Sequence, residues 1–191
     1  MFVAEEKIKN NIAEYVLYMW HIEDVIRAYQ FEIAAIDKNL IENSGMSMVQ
    51  KIQLKNWYVD LIDKMRKARL EKKGHLEEVN EKIAELTLLH STLLQAIKDK
   101  DYITLYERAK AEIEELKKRS EVKTMEELPD GGKKFTVVKN DVVACFNGLY
   151  GLWLLRLQKK KVSKETTEAM QKISAMMAML TVKYHNMMNG N

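Results

Sequence analysis

Apolar residues recur at steps of three and four over most of the chain, which is the spacing of one face of an α-helix. The longest run begins at Ile12. Its next members are Tyr15, Met19, Ile22, Ile26, Tyr29, Ile33, Ile36 and Leu40. A heptad pattern kept for about four heptads predicts one long helix. It ends before Asn43, Ser44 and Gly45, which are helix-terminating residue types.

The same spacing predicts helices farther along the chain. The second includes Leu54 to Ala68, the third Leu76 to Ile97, the fourth starts near Asp101 as N-cap, and the sixth extends from Ser163 to about Met188. Gly74 lies between the second and third helices as a C-terminal cap. Because the apolar spacing continues through Gly74, residues 47–98 form either a hairpin of two helices or one long bent helix. We favour the hairpin, since a helix of about 50 residues is unusual in a compact domain.

The fifth helix has a different composition. Residues 142–155, "VVACFNGLYGLWLL", contain no charged side chain. A helix that is apolar on all sides lies either in a protein core or in a membrane. Fourteen residues rise about 21 Å, which is short of the ~30 Å hydrocarbon layer. The pattern therefore predicts a core helix, with a neighbouring helix close to Ala144, Gly148 and Gly151.

These elements predict an all-α fold, a bundle of five to six helices packed around the central apolar helix at about residues 140–160. The low content of chain-breaking residues, seven glycines and one proline, agrees with this fold class, because a β-sheet needs frequent turns. We expect residues 1–191 to form a single helical-bundle domain. The turn sequence "PDGG" places an irregular loop at about residues 120–138.

Three stretches of the sequence resemble a known protein family. They are "NIAEYVLYMWHIEDVIRAYQ", "KKGHLEEVNEKIAELTLLH" and "CFNGLYGLWLLRLQKKKVSKETTEAMQKIS". They are similar to an uncharacterised all-helical bacterial family, a domain of unknown function, and the resemblance spans most of the chain. It implies a single helical domain, and it implies no activity, cofactor or functional residue.

Charge and cysteine content exclude several classes of protein. The chain carries 31 basic and 28 acidic residues, a net charge of +3, which lacks the strong basic surplus of a nucleic-acid-binding protein. Basic runs such as "KMRKARLEKK" lie at predicted helix ends, where they offset the helix dipole. The single cysteine, Cys145, fits a reducing compartment. No secretory signal pattern opens the chain, so we expect a cytoplasmic protein without membrane contact.

No catalytic or metal-binding motif is present. Helical di-metal sites use Glu-x-x-His, but the residues three before the four histidines are Tyr18, Lys72, Thr87 and Val182. Cys145 has apolar neighbours, which indicates an inert core thiol. His90 lies in an apolar stripe, with Thr87 one turn earlier; it is either a core residue or a pH switch. The sequence therefore favours a non-catalytic protein without deciding the question, and we expect no cofactor and no metal.

The segment "LYMWHIED" provides the one candidate site. Beside the main apolar stripe, a second stripe joins Trp20, Asp24, Arg27 and Phe31, with His21 nearby. Arg27 has a second acidic neighbour, Glu23, at i,i+4 spacing. One interpretation is a buried polar network that fixes helix positions. The other is a ligand-binding pocket formed by Trp20, His21, Asp24 and Arg27.

The function is therefore unknown, and the sequence favours a non-catalytic cytoplasmic helical interaction or scaffold protein. Self-association as a homodimer is expected, because the first helix has apolar residues on two sides and the sixth is rich in methionine. A small-ligand-binding bundle that uses the Trp20 side is the alternative. A nucleic-acid-associated protein is less favoured.

Overall fold

The computed structural model describes residues 1–119, 123–127, 133–137 and 140–190. Its α-helices are α1 (Phe2–Asn10), α2 (Ile12–Ala28), α3 (Ile33–Ile36), α4 (Met48–Lys67), α5 (Glu77–Gln95), α6 (Lys100–Arg119), α7 (Asp141–Leu157) and α8 (Lys164–Met188), and a π-helical turn (Asp37–Ile41) follows α3. The all-α prediction is confirmed. The described residues hold eight α-helices where five or six were predicted, because the first predicted helix is divided and α1 precedes it.

The chain divides into two compact units, Met1–Lys82 and Ile83–Asn191, and the division falls within α5. The core of the first unit includes Ile12, Val16, Met19, Ile26, Ile36, Leu61 and Met65. The core of the second includes Leu86, Tyr102, Ile113, Phe146, Ile173 and Leu180. That residues 1–191 form a single domain stays a prediction.

The predicted long first helix is wrong, because α2 ends at Ala28. Gln30 and Phe31 have positive φ angles of 53° and 64°. The Phe31 backbone N–H donates to the carbonyl of Ile26 at 3.0 Å, and this bond closes the helix end. The apolar spacing nevertheless continues, since Phe31 and Ile36 are both buried after the break.

Residues 47–98 form two helices, α4 and α5, and not one long bent helix. A capping box of Ser47 and Gln50 starts α4. Gly74, which we predicted as the C-terminal cap, does not end α4. Arg69 takes the left-handed conformation there, at φ +56°, and Gly74 lies farther along the connection.

The start of α6 lies slightly earlier than predicted. Asp99, not Asp101, caps the helix by accepting a hydrogen bond from the Tyr102 backbone N–H at 2.9 Å. The same carboxylate pairs with the ammonium group of Lys183 at 2.5 Å. Asp99 therefore links the beginning of α6 to α8.

The apolar helix α7 packs against α6 and α8. The Asn140 side chain caps it by accepting from the backbone N–H groups of Val142 and Val143 at 2.9 and 3.2 Å. Burial is deepest in its first half, at Val142, Ala144, Cys145 and Phe146, whereas most side chains after residue 148 are half-buried. The N-terminal half of α7 is therefore buried in the core, as the apolar composition predicts, and the C-terminal half is buried less.

The segment expected to be an irregular loop contains a two-stranded hairpin. Strand β1 (Lys123–Glu127) pairs antiparallel with β2 (Lys133–Val137), with Lys123 opposite Val137. The predicted "PDGG" turn lies outside the described residues.

Candidate functional site

The predicted site on α2 is occupied by contacts within the protein. Arg27 donates to Asp24 Oδ1 at 2.9 Å through Nη1 and to the carbonyl of Leu70 at 3.0 Å through Nε. Its Nη2 donates to the carbonyl of Gly74. Arg27 thus fastens the α4–α5 connection to α2, which supports the interpretation as a structural polar network.

The other two predicted residues lie in different surroundings. Trp20 is buried and stacks on the ring of His75, with ring centroids 4.3 Å apart and planes 9° from parallel. His21 is half-buried, and burial lowers its pKa while Asp24 acts in the opposite direction. Of the four residues, Asp24 and Arg27 form an ion pair, and Trp20 belongs to an adjoining aromatic contact.

Sequence reasoning missed the buried acid of this region. Glu23, named there only as a neighbour of Arg27, is fully buried. It accepts a hydrogen bond from the Leu76 backbone N–H at 2.8 Å and lies 2.5 Å from His75 Nδ1. Because Leu76 directly precedes α5, the carboxylate stabilises the first turn of that helix. Its spacing from Met19, four residues earlier, was a signal that Glu23 lies on the buried face.

A second polar cluster lies in the unit formed by residues 83–191, around His90 of α5. His90 is buried, as predicted for a core histidine. Its Nδ1 lies 2.6 Å from the hydroxyl of Tyr102, so Tyr102 is its close partner rather than the expected Thr87. The Thr87 hydroxyl donates to the carbonyl of Ile83 instead. Burial raises the pKa of Tyr102, so its hydroxyl stays protonated.

Asp141 is the charged centre of this cluster. It accepts hydrogen bonds from the Tyr106 hydroxyl at 2.8 Å and from the Lys117 ammonium at 2.7 Å. His90, Lys117 and Tyr106 together hold the pKa of Asp141 below its usual range, against the opposing effect of burial. The carboxylate is therefore ionised at neutral pH, and its charge is balanced by Lys117.

The partners of Asp141 keep their protons as well. Burial lowers the pKa of Lys117, but its hydrogen bonds to Asp141 and Glu114 outweigh that effect and raise it. Burial and the hydrogen bond to Asp141 raise the pKa of Tyr106 to about 12. The cluster is therefore an ammonium–carboxylate pair with a phenol as a second donor.

The contact between His90 and Asp141 is longer than an ordinary hydrogen bond. His90 Nε2 is 3.7 Å from Asp141 Oδ2. Since Nε2 faces a carboxylate, we assign the ring proton to Nε2 and the Tyr102 hydroxyl as donor to Nδ1. The Nε2–H donor of His90 and the Oδ2 acceptor of Asp141 are therefore neighbours that do not form a hydrogen bond of normal length.

This gap opens into a cleft of about 440 Å³, called here the His90 cleft. Its lining residues are Thr87, His90, Ser91, Leu94, Gln95, Tyr106, Asn140 and Asp141. The Asn140 amide donates to the Thr87 hydroxyl at 3.0 Å and so joins the start of α7 to α5. The volume lies in the range of small-molecule sites. The apolar spacing predicted a buried His90, but no local pattern brought Asp141 to it.

The described residues contain neither a cluster of metal ligands nor an exposed cysteine. In the parts of the chain that the structure describes, no three side chains of His, Cys, Asp or Glu are grouped so that they hold a metal ion. Cys145 is buried, and burial raises the pKa of its thiol to about 12. Its reactive thiolate form is therefore scarce at neutral pH.

Comparison with known proteins places the chain in a family. A family model described as "Domain of unknown function (DUF4924)" matches residues 1–191. The chain belongs to the DUF4924 family. The resemblance to a family of unknown function is thereby confirmed, while bacterial origin stays a prediction.

Other comparisons gave no relative of this DUF4924 chain. No curated protein and no solved structure matches it. None of the described helices is long and apolar enough to span a membrane.

Proposed function

We propose that this DUF4924 protein is a non-catalytic binding protein that holds a small polar ligand in the His90 cleft. The observation that carries the proposal is the 3.7 Å gap between His90 Nε2 and Asp141 Oδ2 at the wall of a cleft of about 440 Å³. Every lining residue except Leu94 has a hydrogen-bonding side chain. Such convergent polar groups in a concave site are typical of small-molecule recognition.

The charges of the cleft favour a neutral ligand. Lys117 pairs with Asp141 and also with Glu114, which does not line the cleft. Asp141, the charged residue of the lining, therefore already has a counter-ion, and Lys117 is not free for an anionic ligand. A ligand hydroxyl accepts from His90 Nε2–H and donates to Asp141 Oδ2, and a primary or secondary amide has the same pair of functions. We therefore expect a small uncharged molecule that carries hydroxyl or amide groups.

The side of α2 that the sequence indicated is less suited to a ligand. The donors of Arg27 are directed to Asp24 and to two backbone carbonyls of the same unit. A ligand there would have to displace these hydrogen bonds. Their loss would lower the free energy of unfolding of the protein. We therefore place the proposed ligand site at the His90 cleft rather than at Trp20, His21, Asp24 and Arg27.

The proposal is tested by filling the cleft. Ser91 lines it and is half-buried, whereas Ser174 is exposed on α8, so Ser91→Leu and Ser174→Leu form a matched pair. The measurements are native mass spectrometry of protein taken directly from cells and calorimetric titration with neutral polyols and amides. We expect bound mass or binding heat for the wild type and Ser174→Leu, and a loss of at least about tenfold in affinity for Ser91→Leu, with helical circular dichroism unchanged.

Two outcomes contradict the proposal. One is the absence of any bound mass and of any binding heat across the polyol and amide series. The other is equal affinity in Ser91→Leu and the wild type, since a leucine at this lining position takes up part of the cleft volume and puts an apolar group among its polar contacts.

A second candidate function is that of an interaction protein that self-associates. The specific observation is a group of exposed apolar side chains on α4, where Met48 is 73% and Val49 65% exposed. Exposed apolar groups of this kind are common at protein interfaces. We also propose a cytoplasmic location in a bacterial cell; the single buried Cys145 supports a reducing compartment, and cell fractionation tests it.

A further inference from the structure

We propose that His75 is a phosphoryl acceptor whose Nε2 atom takes a phosphoryl group from a phosphoramidate, a donor with a P–N bond. The proposal goes beyond ligand binding in the His90 cleft and does not depend on it, because His75 and its contacts lie in the unit Met1–Lys82. It rests on the placement of the His75 imidazole against the buried carboxylate of Glu23, which lies 52 residues away in the sequence on α2.

The contact with Glu23 decides which ring nitrogen of His75 carries the proton. Oε1 of Glu23 accepts the Leu76 backbone N–H at 2.8 Å, and Oε2 lies 2.5 Å from His75 Nδ1. A fully buried carboxylate needs donors at its oxygens, so we place the ring proton on Nδ1. In the neutral ring Nε2 then carries the lone pair, which makes it the nucleophilic nitrogen.

Packing holds this ring in place and leaves Nε2 open. One face of the ring stacks on Trp20, with centroids 4.3 Å apart, and the Asn80 amide donates to the His75 carbonyl at 3.0 Å. The His75 side chain is 29% exposed. Within the described residues Nε2 makes no hydrogen bond, and it does not belong to their buried polar atoms. Solvent therefore reaches Nε2, while Glu23 and Trp20 fix the direction of its lone pair.

The charges along the neighbouring chain favour an anionic donor. The α4–α5 connection, residues 68–76, carries three exposed basic side chains against one acidic side chain: Arg69, Lys72 and Lys73 against Glu71. The last turn of α4 adds Lys64, Arg66 and Lys67, and the first turn of α5 adds Glu77 and Glu78. Asp60 and Asp63, one turn earlier on α4, reduce this surplus without reversing it, and Asp24 of α2 is paired with Arg27. A local positive surplus attracts a phosphoryl donor.

The group-transfer step balances without a further reagent. The Nε2 lone pair forms the new N–P bond, and the ammonium nitrogen of the phosphoramidate leaves as ammonia with the electron pair of the broken P–N bond. The Nδ1 proton stays in the hydrogen bond to Glu23, whose negative charge balances the positive ring that forms. An acyl group on the same nitrogen is soon lost to water, whereas an anionic phosphoryl group repels hydroxide and persists. Phosphoryl transfer therefore gives the more lasting product at this nitrogen.

The first experiment measures which histidine reacts. The full chain is incubated with phosphoramidate at neutral pH, and the modified atom is identified by mass spectrometry of peptides and by phosphorus NMR. His21 and His185, which are half-buried like His75, are the internal controls. We expect His75 to react at least about tenfold faster than either, with the phosphoryl group on Nε2. Equal rates at the three histidines, or a phosphoryl group on Nδ1 of His75, overturn the proposal.

The second experiment tests the role of Glu23. In Glu23→Gln the one amide oxygen accepts from Leu76, so the amide nitrogen faces Nδ1 and the ring proton moves to Nε2. We expect the rate at His75 to fall at least about tenfold, whereas Glu14→Gln on the same helix leaves it unchanged. A Glu23→Gln chain that is folded by circular dichroism and reacts as fast as the wild type overturns the proposal. Should the variant unfold, the position of the phosphoryl group in the wild type, Nε2 or Nδ1, decides instead.

The third experiment tests the preference for a phosphoryl donor. Diethyl pyrocarbonate acylates the same neutral nitrogen but carries no charge, so it reports nucleophilicity alone. Lys73 lies two residues before His75, so their Cα atoms are at most about 8 Å apart. Lys73→Glu should slow phosphorylation of His75 at least about twofold and leave the reaction with diethyl pyrocarbonate unchanged. Lys38→Glu, at an exposed lysine outside the connection, is the control and should change neither rate. An equal change with both reagents, or no change in phosphorylation, overturns the assignment of a phosphoryl donor.

Discussion

At the residue scale, three helix ends of this protein are closed without glycine. Three helices end where a non-glycine residue has positive φ: Gln30 at 53°, Arg69 at 56° and Lys159 at 54°. In each case the next backbone N–H donates to a carbonyl five residues earlier, at 2.9 to 3.0 Å. This is the Schellman arrangement, in which glycine is the usual residue because a Cβ in the left-handed region costs about 1–2 kcal/mol.

Replacing Gln30 by glycine should therefore stabilise the protein. Gln30 is exposed, so the substitution removes left-handed strain without a loss of packing. We expect Gln30→Gly to raise the free energy of unfolding by about 0.5–1 kcal/mol, measured by urea denaturation. Ala28→Gly is the control in the last turn of α2, and it should lower that energy by about 1 kcal/mol. A loss of stability in both variants would show that Gln30 is not strained.

At the scale of one element, the two glycines of α7 lie in different surroundings. A Cβ added at Gly148 would lie 2.7 Å from Cδ1 of Leu116, so α6 approaches α7 closely at this point, as the sequence predicted. A Cβ added at Gly151 would meet no atom within 4 Å. The predicted close approach is therefore confirmed at Gly148 and is wrong at Gly151.

The two glycines should respond differently to alanine. Gly151→Ala should raise the free energy of unfolding by about 0.5–1 kcal/mol, because alanine loses less backbone entropy in a helix and the space is open. Gly148→Ala gains the same propensity but must displace Leu116, so it should be the less stable variant of the two. Thermal and urea unfolding of both variants measure the difference. Equal stabilisation would mean that Leu116 does not limit the site.

At the scale of the whole molecule, distant segments of the sequence are joined by buried acids. Glu23 holds the start of α5 through Leu76 and His75. Asp141 holds α6 through Tyr106 and Lys117 and lies near His90 of α5. Each acid is fixed by donors more than twenty residues away. Such networks stabilise only when every partner is in place.

Stability should fall in acid through Asp141. Its pKa is lowered in the folded chain, so its contribution is present above the unfolded value of about 3.9 and is lost as pH falls toward the folded value. At pH 7 we expect Asp141→Asn to lower the free energy of unfolding by about 1–3 kcal/mol relative to the wild type. That difference should shrink below about pH 4. The measurement is urea denaturation across pH.

Asp101→Asn is the matched control for the acid experiment, since Asp101 is an exposed aspartate in the first turn of α6. It should change the free energy of unfolding by less than about 0.5 kcal/mol, because Asp101 is exposed and lies outside the Asp141 cluster. A wild-type profile parallel to that of Asp141→Asn down to pH 3 would contradict the assigned role of Asp141.

Much of the fold was predictable, and the site was predictable only in parts. The stripe at Ile12, Met19 and Ile26 identified the buried face of α2, and the position of "VVACFNGLYGLWLL" identified α7. The break at Gln30 was not predictable, because the apolar spacing continues across it and no glycine or proline marks it. His90 was identified as buried, but its partners Tyr102 and Asp141 lie 12 and 51 residues away.

The sequence by itself determined most of the helical segments and the buried side of helices such as α2, because a helix is formed by bonds between residues four apart and its apolar face repeats at that period. Only the tertiary structure decided which polar groups meet. Glu23 lies 52 residues from His75, and no local pattern relates residues at that distance. Their contact exists because packing of the apolar faces brings the helices together, and each buried charge is then stable only where a donor meets it.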